Sequence, residues 1–202
     1  MDTRDRSVAE SLQRDDLDVD PDEAKFAELL LLVAEELADD PYGGAAKANG
    51  VLYFAEFGHV RETGVPISGV RYRKTDRGPV PRGARAVRDQ LVAAGDAALA
   101  RERVLGHEQQ RLIPVRPVHR ELFSATELKA VQEAVDLLRG HTGDDTAERS
   151  RREPGWRLVD EGEDIPFVSA LLPQVQPRPS ARMAERMRQI HEEYARAGRL
   201  AE

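Results

Sequence analysis

The sequence predicts a mainly α (α+β) fold: a compact helical domain with a small antiparallel sheet or hairpin and a C-terminal extension helix. Three observations predict it. Apolar residues recur at helical spacing in several blocks, a short alternating segment follows a glycine and proline break after residue 63, and two strand-like runs flank Gly106-His107. A chain of 202 residues supports one domain with a real core plus extensions.

The expected order begins with an acidic tail over residues 1–19, polar and without a sustained period, so read as disordered. Helix one opens at Asp20-Pro21-Asp22-Glu23, with Asp20 as cap and Pro21 in the first turn. Its stripe is Phe26, Leu29, Leu30, Val33 and Leu37; Leu31 and Leu32 widen it beyond one face, so the helix is largely enclosed. Helix two, about Ala45 to Thr63, is apolar nearly all round from Val51 to Phe57, which marks a central helix, and Gly64 and Pro66 end it. Val70-Arg71-Tyr72-Arg73 alternates as a strand, and Gly78-Pro79-Val80-Pro81 reads as a rigid turn toward a third helix over Arg82 to Ala94. Val104-Leu105 and Arg111 to Val115 form a hairpin about Gly106-His107. Ser124-Ala125-Thr126-Glu127 is a capping box before the stripe Leu128, Val131, Val135 and Leu138, closed by Gly140. A helical piece near Ala147 to Arg151 and a short helix over Ile165 to Leu172 follow. Three prolines then lead to a last helix with a seam of Met183, Met187, Ile190, Tyr194 and Ala197, so that residues 20–173 form the domain and 174–202 its extension.

Composition removes several classes of function. The chain has no cysteine, hence no disulfide, thiolate nucleophile or cysteine-held zinc. Its amino terminus lacks an apolar signal core, and no run approaches the roughly 20 apolar residues that cross a bilayer, so a cytoplasmic protein with no membrane partner is expected. The net charge of −7 is unevenly spread: Met1 to Asp40 holds fourteen acids against four bases, and Arg71 to Arg88 seven bases against one acid.

No reaction centre emerges. Glu56 and His59, three apart on helix two, suit an acid/base pair or two metal ligands, but no third ligand or nucleophile stands at a diagnostic spacing. His59 also falls in line with Val51, Leu52 and Ala55, as a hydrogen-bonded, partly buried histidine would. Gly43-Gly44 lacks the continuation of a phosphate-binding loop, and no serine has the glycines of a nucleophile elbow. The expectation is a protein that is not an enzyme and needs no cofactor and no metal. The basic element from Arg71 to Arg88 is the stronger candidate, because arginine forks suit carboxylates as well as phosphates. A solvated face, or one paired with the acidic first helix, is the plain alternative. Nucleic acid is not the expected partner for it, given the acidic chain and the scarcity of stacking aromatics beyond Tyr72.

Lys47, Asn49, Leu52-Tyr53-Phe54-Ala55, Phe57, His59, Glu62-Thr63-Gly64, Pro66-Ile67-Ser68-Gly69, Tyr72 and Gly78-Pro79-Val80-Pro81 form an ordered pattern that resembles the Panacea domain of SocA-like antitoxins. Glu153-Pro154-Gly155-Trp156 and Ile165-Pro166-Phe167 look like its later landmarks, giving a span of roughly Pro21 to Pro173. Gly50 stands where that family usually carries a second lysine, and Arg151 where a histidine commonly precedes the tryptophan. The resemblance implies an antitoxin of a toxin-antitoxin system that neutralises a cognate protein toxin, usually encoded beside it, by direct binding. Alternatives are an adaptor that delivers the toxin to an ATP-dependent protease and a DNA-binding autorepressor. On the antitoxin reading the partner-binding residues are Tyr53, His59, Arg71, Tyr72, Lys74, Arg77 and Pro79, with the Met183 to Tyr194 seam as an addition. Alanine at Arg71, Tyr72 and Lys74 is then expected to abolish neutralisation and spare the fold.

Overall fold

The computed structural model describes residues 10–13, 16–104 and 106–173. Helix α1 (Glu23–Glu36) is capped by Asp22, whose side chain accepts from the Lys25 N–H at 2.9 Å. The cap thus lies two residues beyond the expected Asp20, and the Asp22 N–H donates to the Ser68 carbonyl at 2.8 Å, which keeps the residues before it out of the helix. Helix α2 (Ala45–Thr63) has the predicted bounds and ends on Gly64 in the left-handed conformation, φ 84°. As expected of a central helix, it packs against α1, the later helices and the sheet.

Strands β1 (Tyr72–Thr75) and β2 (Gly78–Pro81) pair antiparallel, Tyr72 opposite Pro81 and Thr75 opposite Gly78. Gly78 to Pro81 is therefore a strand and not the turn the sequence suggested; the turn is Asp76-Arg77. Proline survives there because β2 is an edge strand of its three-stranded sheet, where a missing N–H breaks no further ladder. The third strand, β5 (Asp164–Ile165), pairs antiparallel with Tyr72 and Arg73.

Helix α3 (Ala84–Ala94) lies between two left-handed glycines, Gly83 and Gly95. The hairpin of β3 (Ala97–Val104) and β4 (His107–Pro114) is longer than its apolar residues alone suggested, with register held from Ala97 opposite Pro114 to Val104 opposite His107. A 3-10 turn (Arg120–Leu122) leads to α4 (Ala125–Leu137), whose Ser124 and Glu127 make both bonds of the predicted capping box. Thr142 and Asp145 repeat that box before α5 (Gly143–Ser150), and α6 (Pro154–Leu158) carries Trp156. After β5 the chain makes a 3-10 turn, Phe167–Leu171, so Ile165 belongs to the sheet and not to the expected helix.

One apolar core joins these elements. It runs from Phe26, Leu29 and Leu31 in α1 through Val51, Leu52 and Phe57 in α2 to Val131 in α4 and Leu138 at its end, and on to Ile165 and Phe167. Gly50 is required where α2 meets α5: a Cβ there would lie 2.1 Å from Thr146 Cγ2. The close approach is thus made by a side chain of α5. The end of the segment read as tail is placed against the domain at Asp16 and Leu17, while the C-terminal seam from Met183 to Ala197 lies outside the described residues.

Candidate functional site

The strand β1 alternates, and the alternation decides the fate of the expected anchors. Tyr72 faces inward and is 0% exposed, and Tyr53 on α2 is 1% exposed. Their rings lie 5.7 Å apart, and both meet Phe57, at 4.3 Å for Tyr53 and 5.8 Å for Tyr72. These are core aromatics, and burial pushes both phenols well above their ordinary pKa. His59, 4% exposed, bonds through Nδ1 to the Val65 carbonyl at 2.7 Å and through Nε2 to Thr126 Oγ1 at 3.3 Å, so it joins the end of α2 to the start of α4.

Lys74 shares the inward face with Tyr72. Its Nζ donates to the carbonyls of Trp156 at 2.9 Å and Val159 at 2.8 Å, and lies 4.9 Å from the Trp156 ring centre. It thereby satisfies carbonyls at the C-terminal end of α6 that the short helix leaves open. Arg71 pairs with Asp16, donates to the Leu17 carbonyl at 2.9 Å and lies over Phe167, while Asp16 also accepts from the Val168 N–H at 3.0 Å. Pro79 is buried in β2. Of the seven expected contact residues only Arg77 stands exposed, so Tyr53, His59, Arg71, Tyr72, Lys74 and Pro79 form no common surface. Alanine at Arg71, Tyr72 and Lys74 together would empty a core site and remove two clamps, so a loss of stability is expected alongside any loss of binding.

Two buried charged side chains on α2 are equally structural. Glu56 has no exposure and accepts from the N–H groups of Ile67 at 2.6 Å and Ser68 at 3.0 Å, and from the Ser68 hydroxyl. Burial raises its carboxyl and outweighs these donors, so its pKa is pushed up to about 7. Its acceptor atoms point into the loop after α2, and His59 points to Val65 and Thr126, so the pair does not share a ligand position. Lys47, also 0% exposed, pairs with Asp40 at 2.5 Å and donates to the His141 carbonyl at 2.9 Å.

The exposed charge gathers elsewhere. Gly78 lies against α5, with its Cβ position 3.5 Å from Ala147 Cα. Arg151, just beyond α5, donates through Nη2 to the Asp76 carbonyl at 2.6 Å and so fixes the β1–β2 turn to the helix end. Arg77 projects from that turn, and Arg152 follows Arg151; both share Glu148, at 3.7 Å for Arg152 and 3.4 Å for Arg151. Arg73 is exposed on the outer face of β1. Sequence reasoning missed Arg151 and its neighbour Arg152, because only the packing of α5 on β2 brings Arg151 to the turn; the sole local signal was the basic run after Thr142-Gly143-Asp144-Asp145.

The family described as Antitoxin SocA-like, Panacea domain, matches residues 50–157, more than half of the chain. The chain belongs to the SocA-like antitoxin family. No curated protein and no solved structure matches it. In this Panacea domain the residues that carry the resemblance are largely those with internal duties: Tyr53, Phe57 and Tyr72 in the core, His59 and Ser68 in the loop bonds, and Trp156 against Lys74. Among the described residues no helix is long and apolar enough to cross a membrane.

Proposed function

We propose that this protein neutralises a cognate protein toxin by binding it directly, making and breaking no bond. The observation that carries the reading is the family match over residues 50–157. The fold supports it: the polar groups with catalytic potential on α2 are committed to holding the scaffold, and a rigid scaffold with an exposed arginine surface is what occupancy of a partner requires.

The test is co-expression with the product of the adjacent gene. Growth arrest by that product alone, relief by the full chain, and a stable complex of the two purified proteins are the expected outcomes. Relief should persist in cells lacking their ATP-dependent proteases. Relief that vanishes in those cells would replace occlusion with delivery for degradation, and absence of any complex would remove direct binding.

A further inference from the structure

We propose that the β1–β2 turn and the end of α5 form one docking surface, with Arg77 and Arg152 as its contacts, for an acidic face of the partner protein. The inference rests on the antitoxin reading and names the surface and the chemistry that reading leaves open. Three features of the structure carry it.

The surface is preformed. Within the turn, Thr75 Oγ1 donates to the Gly78 carbonyl at 2.8 Å and accepts from the Arg77 N–H at 3.3 Å. Arg151 then ties the turn to α5 through the Asp76 carbonyl, and Gly78 sits in contact with Ala147. Two elements distant in sequence are thus held in one arrangement before any partner arrives, which lowers the ordering cost of association.

Its cations are free to exchange partners. The Arg152 side chain is 71% exposed and its pair with Glu148 is long, at 3.7 Å. Arg77 is exposed and makes no ion pair among the described residues. Exposed pairs of this kind contribute little, so a partner's carboxylates can displace Glu148 at small cost, and each guanidinium offers a fork for bidentate capture. Arginine is also enriched where binding energy concentrates.

The composition selects protein over nucleic acid. Asp76 and Glu148 stand among the arginines and would repel a phosphate backbone, whereas a protein face can place cations of its own opposite them.

The test uses the full chain with Arg77→Glu and Arg152→Glu together, leaving Arg151 in place because it holds the turn. Arg101→Glu with Arg103→Glu, on the exposed part of the β3–β4 hairpin, is the control for net charge. The probe is the purified product of the adjacent gene. Wild type must bind and relieve growth arrest, and its failure would dismiss the antitoxin reading itself. Given binding, the Arg77 and Arg152 variant is expected to lose affinity by about tenfold or more while melting as wild type does, with the control unchanged. Wild-type affinity should weaken as salt rises from about 50 to about 300 mM, and the variant's should depend on salt less steeply. Equal affinity for variant and wild type would overturn the proposal, as would an equal loss in the control. It is also overturned if the variant keeps the protein partner but loses promoter DNA or self-association. Arg77→Ala with Arg152→Ala should give a smaller loss in the same direction.

Discussion

Glu56 has the most consequential environment of any single side chain in this protein. A carboxylate with no exposure normally needs a cation, and this one has three hydrogen-bond donors from Ile67 and Ser68 in its place. The donors hold the loop between α2 and β1 in position, but they do not offset the loss of water, so the acid is weakened. In the unfolded chain Glu56 titrates near its ordinary value of 4.5, and in the fold at about 7. Between those values the folded chain keeps a proton that the unfolded chain has released. The stability Glu56 contributes is therefore whole below about 4.5 and declines as pH rises toward about 7. Glu56→Gln should flatten that part of the profile, at a cost of about 1–3 kcal/mol because an amide cannot accept from all three donors. Urea unfolding of both proteins across this interval checks it: the advantage of wild type over the variant should shrink as pH rises. An advantage independent of pH would mean that Glu56 does not titrate there. Tyr72 makes a related point, since its hydroxyl is the one buried side-chain polar atom without a partner among the described residues. The ring's packing, and not its polar tip, accounts for its place in the core.

At the scale of elements, the contact of α2 with α5 positions the arginine surface, and Gly50 sets it. Alanine at this position should gain about 1 kcal/mol of helix propensity in isolation. In the fold its Cβ would lie 2.1 Å from Thr146 Cγ2, on a β-branched side chain whose hydroxyl donates to the Thr142 carbonyl at 2.8 Å. That side chain is stiff, so α5 must shift, and overpacking of this kind costs about 1–3 kcal/mol. Gly50→Ala is expected to lower the melting temperature, and adding Thr146→Ser, which removes Cγ2 and keeps the hydroxyl, should restore it. A rise on Gly50→Ala alone would contradict the packing. Elements of this protein were legible in its sequence where the signal was local: the Ser124 box, the glycine stop at Gly64, the all-round apolar run in α2. They were misread where composition serves two structures, as with Gly78 to Pro81, since proline and glycine mark an edge strand as readily as a turn. The candidate site was harder still. Alternation in Val70-Arg71-Tyr72-Arg73 already puts Tyr72, and with it Lys74, on the inner face of β1, but the carbonyls of Trp156 and Val159 that hold Lys74, and the Arg151 bond that ties the Arg77 turn to the end of α5, have no local signal.

For the whole molecule, the stretch that matches the antitoxin family and the unit that folds differ in extent. The match begins inside α2 at residue 50 and ends in α6 at residue 157. The core extends beyond both ends, with Phe26, Leu29, Leu30, Leu31, Leu32, Val33 and Leu37 before it and Ile165, Phe167 and Ala170 after it. Fully burying such a side chain is worth about 1.5–3 kcal/mol, and the net stability of a domain is only about 5–15 kcal/mol. Losing α1 removes burial of the same order as that whole margin and strips the apolar face of α2 that it covers. Polar ties run the same way. Glu28 on α1 accepts from Arg116 and from the His119 N–H at 3.0 Å; burial raises its carboxyl, yet these partners hold it below the ordinary range. Arg111 on β4 donates to the Leu37 and Asp40 carbonyls at 2.7 and 2.6 Å, closing the C-terminal end of α1. At the other end, the Arg71 pair with Asp16 brings residues 16–17 against Phe167 and Val168. A protein of residues 50–157 should accordingly show no cooperative thermal transition, whereas residues 16–173 should unfold in one step close to the temperature of the full chain. Differential scanning calorimetry of the three proteins decides the matter. Cooperative unfolding of the 50–157 piece would mean that α1 is an accessory to the fold, and the arginine surface could then be tested on that piece alone.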